Sequence, residues 1–306
     1  MSALTRRAPC QNLTMSPTHL LRLIALAAIW GGSYAFLHVV APVYGGVGTM
    51  WLRIGIAAIA MLAYAAITRA ELGLVKWWKH YLFIGLMNSV IPFSLISFAM
   101  VTLPTGYGAL LNALSPFFGA IFTVWLLKEK MTLPRVVGLL LGFAGVAMIV
   151  NLGPIAVTPA LLIAALACVL ATASYGYASV FLKMHAKGAP NLGVVTYSLV
   201  LPALLLTPFV APTIDWGTPS ATVLWSLIAL GVVCSGIAYL LYFQLIADVG
   251  PTKAISVTFL IPVFGVSWGA LFFGDRLSAG MLAGSALIFI GMALVLGIFT
   301  PRARVK

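Results

Sequence analysis

Apolar residues run through this chain in ten long stretches, separated by short patches that hold nearly all of its charge. Each stretch has the length, about 20 residues, at which an α-helix spans the hydrocarbon of a bilayer. They cover residues 20–40, 49–68, 81–101, 105–127, 134–151, 159–182, 193–211, 222–246, 251–273 and 279–299. The linkers are short and marked by Gly, Pro or charge, as at Ala41-Pro42, Gly153-Pro154 and Gly250-Pro251. The pattern predicts an all-α integral membrane protein with ten transmembrane helices. Pro202 and Pro208 fall inside the seventh stretch and blur its ends.

A register of 146 residues lays the segment 103–150 over 249–296 without a gap. Pro116 then falls on Pro262, Phe118 on Phe264 and Gly119 on Gly265. Glu129-Lys130 falls on Asp275-Arg276, Gly138 on Gly284 and Gly145 on Gly291. Shared composition matches leucine to leucine, but it does not align a proline, an acid–base pair and two glycines. The chain therefore reads as an internal repeat. The register crosses five spans, an odd number, so the halves enter the membrane from opposite sides. The predicted architecture is two inverted five-helix repeats, over 20–152 and 159–299, with cytoplasmic tails at 1–19 and 300–306. Inverted repeats suit a transporter, because two equivalent packings exchange roles and open a midplane site to each side in turn.

Composition agrees. The chain is 62% hydrophobic and 7% charged, with mean hydropathy +1.12, more apolar surface than one soluble core hides. Its net charge of +12 invites a nucleic-acid reading, but placement excludes it. If the N-terminus is cytoplasmic, all 17 Lys and Arg except Arg53 and Arg276 fall on the cytoplasmic side. That is the positive-inside pattern, with bases positioned to meet anionic lipid, and it puts both termini in the cytoplasm. The three cysteines, Cys10, Cys168 and Cys234, have neither the count of a disulfide framework nor metal-ligand spacing. No metal or cofactor is expected.

Trp30-Gly31-Gly32-Ser33-Tyr34 in the first span, Leu52-Arg53 in the second, and the Pro116 helix followed by Lys128-Glu129-Lys130 and Gly138 resemble the motifs of the drug/metabolite transporter superfamily, EamA type. The resemblance runs over about residues 20–299 and is most similar to the bacterial aromatic amino-acid exporters of the inner membrane. It implies a central cavity lined mainly by spans 1, 3, 4, 6, 8 and 9, and a small-molecule substrate. The second half departs at Ala173-Ser174-Tyr175-Gly176, which lacks the Trp-Gly pair, so a symmetric role for Trp30 is not expected.

Trp30, Tyr34 and His38 are spaced i, i+4, i+8 and share a helix face. A polar edge in lipid is costly, which turns this face inward; the alternative is an interfacial belt with a packing histidine. Asn88 lies one turn before Pro92, and Asn112 and Ser115 share a stripe with Gly108 and Gly119. Ser174 and Tyr177 in the sixth span, Tyr239 and Phe243 in the eighth (with Ser235 and Tyr242 at helical spacing) and Trp268 in the ninth complete the candidate cavity. Such walls suit a flat apolar ring with a polar head; the competing reading is packing. Arg53 either anchors a substrate carboxylate, or snorkels or pairs with a helix C-terminus near the outer surface, and its place early in the span favours the surface. Pro92, Pro116 and Pro262 interrupt the helix ladder and are candidate gating bends. Gly138, Gly142 and Gly145, with Gly280 and Gly284, form small-residue faces that either seal the bundle or make a dimer contact. A monomer is expected.

There is no phosphate-binding loop for an ATP-driven pump. Glu71, Glu129, Asp215, Asp248 and Asp275 all fall at span ends or in loops, so coupling through a buried acid is not expected. His19, His80 and His185 lack an acid or cysteine cluster, which argues against a membrane enzyme. The sequence reads as an inner-membrane exporter of small metabolites, aromatic or bulky neutral amino acids foremost. A nucleoside or drug is the alternative cargo.

Overall fold

The first helix opens on a cap and closes on a bend. The computed structural model describes residues 15–100, 102–103, 105–150, 158–273 and 278–298. Ser16 Oγ accepts from His19 N and His19 Nδ1 accepts from Ser16 N, a reciprocal box that starts helix α1 (Pro17–Thr68) with Pro17 at its first turn. Gly45 takes φ 67°, ψ 171°, which is open to glycine alone, and divides α1 into two spans without a loop.

The next span, expected at 81–101, is α2 (Leu74–Gly85), a π turn at Leu86–Val90 and α3 (Ile91–Met100), running on without a break. Then come α4 (Thr105–Asn112), α5 (Ser115–Leu127) and α6 (Leu133–Val150). The second half comprises α7 (Pro159–His185), α8 (Asn191–Val210), α9 (Ala221–Gly231), a π turn at Val232–Ile237, α10 (Ala238–Val249), α11 (Pro251–Ile255), α12 (Val257–Phe273) and α13 (Ala279–Leu296). Thr158, Ser220 and Ser278 cap α7, α9 and α13 through their hydroxyls. Among the described residues, nine helices are long and apolar enough to cross a membrane. Large apolar side chains such as Ile59, Ile67, Leu133, Phe209 and Trp225 are exposed on the outside of the bundle, where lipid replaces water.

The packing displays the inverted repeat directly. A Cβ added to Gly138 would lie 2.5 Å from Gly291 O, and one added to Gly291 would lie 2.6 Å from Gly138 O. Gly145 and Gly284 oppose each other in the same way, at 2.5 and 2.6 Å. Gly284 and Gly291 are the register partners of Gly138 and Gly145, so each glycine meets the partner of the other. A two-fold axis between antiparallel α6 and α13 produces that crossed pairing. The small-residue faces therefore seal the two halves of one chain together.

Two further contacts obey the axis. A Cβ on Gly85 would strike Pro202 and Ser198 O; one on its register partner Gly231 would strike Ile56, with Arg53 O near. Gly31 is closed in by Phe264 and Gly265, and Gly176 by Phe118 and Gly119. The two π turns also begin in register, at Leu86 and Val232.

The prolines are less symmetric. Pro116 is the second residue of α5, directly after a break at Ala113-Leu114, whereas Pro262 lies inside α12 and the corresponding break is at Ser256. Pro92 follows the first π turn, while its register partner Ala238 follows the second, so proline is not what makes that turn. Pro202 and Pro208 both sit inside a continuous α8.

Candidate functional site

Between the repeats lies a cavity of about 360 Å³. One face of α1 supplies Trp30, Ser33, Tyr34 and Leu37 at i, i+3, i+4, i+7, and its second arm adds Met50 and Arg53. The opposite walls are Asn88, Phe93 and Ile96; Gly108, Ala109 and Asn112; Tyr175; Tyr239 and Tyr242; and Ile255, Thr258 and Ile261. The walls are paired by the 146-residue register: Phe93 with Tyr239, Ile96 with Tyr242, Ala109 with Ile255, and Asn112 with Thr258. The cavity thus sits on the axis that relates the repeats, the position an alternating-access site occupies.

The π turns hold its walls. A π turn shifts the backbone ladder to i→i+5 and leaves a carbonyl short of its usual donor. Cys234 O accepts from Trp30 Nε1 at 3.1 Å and from Arg53 Nη2 at 2.8 Å. In the other repeat, Met87 O accepts from Ser174 Oγ at 2.7 Å. In each case a π turn in one repeat is tied to the first span of the other. Trp30 also packs against Tyr239 and Tyr242, ring centroids 6.3 and 5.4 Å apart.

Electrostatically the cavity is simple. Its described lining has no Asp, Glu, Lys or His, and one charge, Arg53. Arg53 is buried at 8% exposure, with Nε donating to Ser235 Oγ. Asn112 Oδ1 is shielded and has no hydrogen-bond partner. Tyr34 lines the cavity and is half exposed. No group of His, Cys, Asp or Glu able to hold a metal occurs among the described residues.

At one end, side chains tie the helices around the cavity together. Arg22 pairs with Asp248 at 2.9 Å, His19 lies 3.7 Å from the same carboxylate, and Gln244 Nε2 donates to it. Thr252 Oγ1 donates to Thr123 Oγ1, and Lys183 Nζ donates to Ala247 O.

The sequence profile of the EamA-like transporter family matches residues 18–151 and again 162–297. The chain belongs to the EamA-like transporter family. The "Uncharacterized transporter YoaV" of Bacillus subtilis is 23% identical over 92% of this chain and 98% of its own length. The "Probable amino-acid metabolite efflux pump" of Salmonella typhimurium is 24% identical over 92% and 95%. The "Probable terminal-alkyne amino-acid exporter" of Streptantibioticus cattleyicolor is 22% identical over 89% and 91%. A crystal structure 18% identical in sequence superposes with a TM-score of 0.78, over 93% of this chain and 98% of that one, and shares the fold.

In this EamA-like transporter, Trp30, Tyr34, Asn88, Asn112 and Tyr239 of the expected residues line the cavity. Others lie elsewhere. Tyr177 sits in a separate aromatic cluster with Phe83, Phe122 and Phe181. Phe243 packs behind Tyr239 and Tyr242. Ser174 is spent on Met87 O and Ser115 on Asn112 O, while Trp268 Nε1 donates to Ala28 O. His38 lies on α1, and its side chain is outside the described residues.

Two expectations are corrected. Arg53 does not snorkel: it is buried, bonded to the second π turn, and lines the cavity. Its backbone depth on the span was misleading because the side chain reaches inward to Cys234 and Ser235. The Trp30-Gly31 pair does have a counterpart, Tyr175-Gly176, one residue off the 146 register. Tyr175 lines the cavity as Trp30 does, and both glycines receive a Phe-Gly step. Of the unexpected wall residues, Thr258 is the register partner of Asn112 inside the matched segment, Phe93 is that of Tyr239 just beyond it, and Tyr175 matches Trp30 only after a one-residue shift of the register.

Proposed function

We propose that this transporter exports aromatic or other bulky neutral amino acids across the bacterial inner membrane by alternating access, with both termini cytoplasmic. One observation carries the reading: a cavity on the repeat axis, walled by Trp30, Tyr34, Tyr175, Tyr239 and Tyr242, with few polar groups and no acid in its described lining. Offset and edge-on ring contacts there contribute about 0.5–1.5 kcal/mol each beyond area burial, which favours a flat side chain. The names carried by the Salmonella and Streptantibioticus relatives agree with amino-acid export.

With the termini inside, the Arg22–Asp248 and Thr123–Thr252 contacts close the cytoplasmic end. Tyr34, Leu37 and Met50, which line the cavity, then stand toward the outward ends of the first two spans, and we read this as the outward-facing packing. The test is counterflow in proteoliposomes loaded with unlabelled aromatic amino acid, against a panel of labelled amino acids, nucleosides and dyes. Uptake of labelled phenylalanine, tyrosine or tryptophan above the rest of the panel is expected. Nucleosides or dyes outrunning every amino acid would overturn the reading.

A further inference from the structure

A buried guanidinium with no acid beside it is unusual inside a membrane bundle, because a lone charge in a low-dielectric site is costly. Among the described residues, Arg53 is in this position. Its fork has five N–H donors, and only Nε and Nη2 have partners among the described residues, Ser235 Oγ and Cys234 O. Both partners are neutral. Of the acids the structure describes with a partner, Glu129 faces Arg135, Asp248 faces Arg22 and Asp215 caps its own turn at Gly217 N. None is in the cavity lining.

Arginine does not discharge at any physiological pH, so the cavity carries a fixed positive charge. The two neutral hydrogen bonds hold the plane of the fork and leave the Nη1 edge uncommitted, beside a cavity with room for a ligand. A guanidinium edge held this way matches a carboxylate in shape and charge. A cargo that excludes water from this edge has to supply an acceptor of its own, and a carboxylate supplies the strongest.

We propose that Arg53 reads the charge of the cargo: it pairs with a carboxylate on the transported molecule and makes the carrier reject organic cations. This deepens the amino-acid reading and rests on the same cavity.

The experiment uses the purified full chain and three ligands that share one ring: 3-phenylpropionate, phenylalanine and phenethylamine. Binding is read as the ligand-induced rise in Tm and as inhibition of counterflow. The two carboxylates should bind about tenfold or more tighter than the amine, the size of one charge-assisted hydrogen-bonded pair. Arg53→Gln should abolish that preference, and Arg53→Lys should keep the order in weakened form. Ser235→Ala leaves the charge but frees Nε, so it should weaken both carboxylates while keeping them ahead of the amine. Equal binding of acid and amine by the wild type overturns the assignment, whether or not Arg53→Gln folds. So does a carboxylate preference that survives in Arg53→Gln. If 3-phenylpropionate binds ahead of the amine but no amino acid is moved, the amino-acid reading fails and the role of Arg53 stands. If phenylalanine is moved with unchanged KM by Arg53→Gln, the reverse holds.

Discussion

Consider the glycine seam between α6 and α13, and the single change Gly145→Ala. The new methyl would lie 2.5 Å from Gly284 O, 2.7 Å from Ile288 Cγ1 and 3.0 Å from Ile288 N. A relaxed carbon–oxygen contact needs roughly 3.4 Å, so the helices must part by about 0.9 Å at this point. The obstacle is a backbone carbonyl, which cannot swing aside as a side-chain tip does. Overpacking of this kind costs about 1–3 kcal/mol. Against it stands the helix propensity of alanine over glycine, about 1 kcal/mol. Gly55→Ala supplies the comparison, because nothing lies within 4 Å of its added methyl and it gains propensity alone. The difference between the two variants therefore isolates the seam, at about 1–3 kcal/mol. Thermal unfolding in detergent, followed by tryptophan fluorescence, should place Gly145→Ala several degrees below Gly55→Ala. Gly284→Ala should do the same, since its methyl meets Gly145 O at 2.6 Å. The double variant is the sharper test. Once the helices have parted for one methyl the other fits, so its cost should fall short of the sum, as expected of residues in direct contact. Gly145→Ala melting level with Gly55→Ala, or strict additivity in the double, would refute the crossed seam.

Three other outcomes are expected. Alanine at Tyr34 or Tyr239 should slow counterflow far more than alanine at Phe36 or Leu240, which are outside the described cavity lining; equal effects would return these tyrosines to packing. A reporter fused after Lys306 should read cytoplasmic, and a periplasmic signal would break both the orientation and the inverted arrangement. Exchange should proceed without a pH gradient, and an imposed gradient should add no uphill accumulation, because the described cavity lining carries no titratable acid or histidine; accumulation that His38→Gln abolishes while exchange survives would show proton coupling.

Much of this architecture is one-dimensional information. The spans were legible because the bilayer imposes a length on every apolar run. The repeat was legible because glycines and a proline in register carry meaning that leucines do not.

Rotation was different. In water, the apolar stripe of a helix tells which face is buried; in lipid both faces are apolar and that signal fades. Tyr175 and Tyr177 are two residues apart on one helix, yet one lines the cavity and the other joins the Phe83 cluster. Spacing could not choose between them. Arg53 was misjudged for a related reason: its backbone depth was readable, but its partners lie about 180 residues away, in a π turn no local pattern announces. The glycine faces, too, were visible as faces, and only the packing of α6 on α13 decided that each is the other's partner.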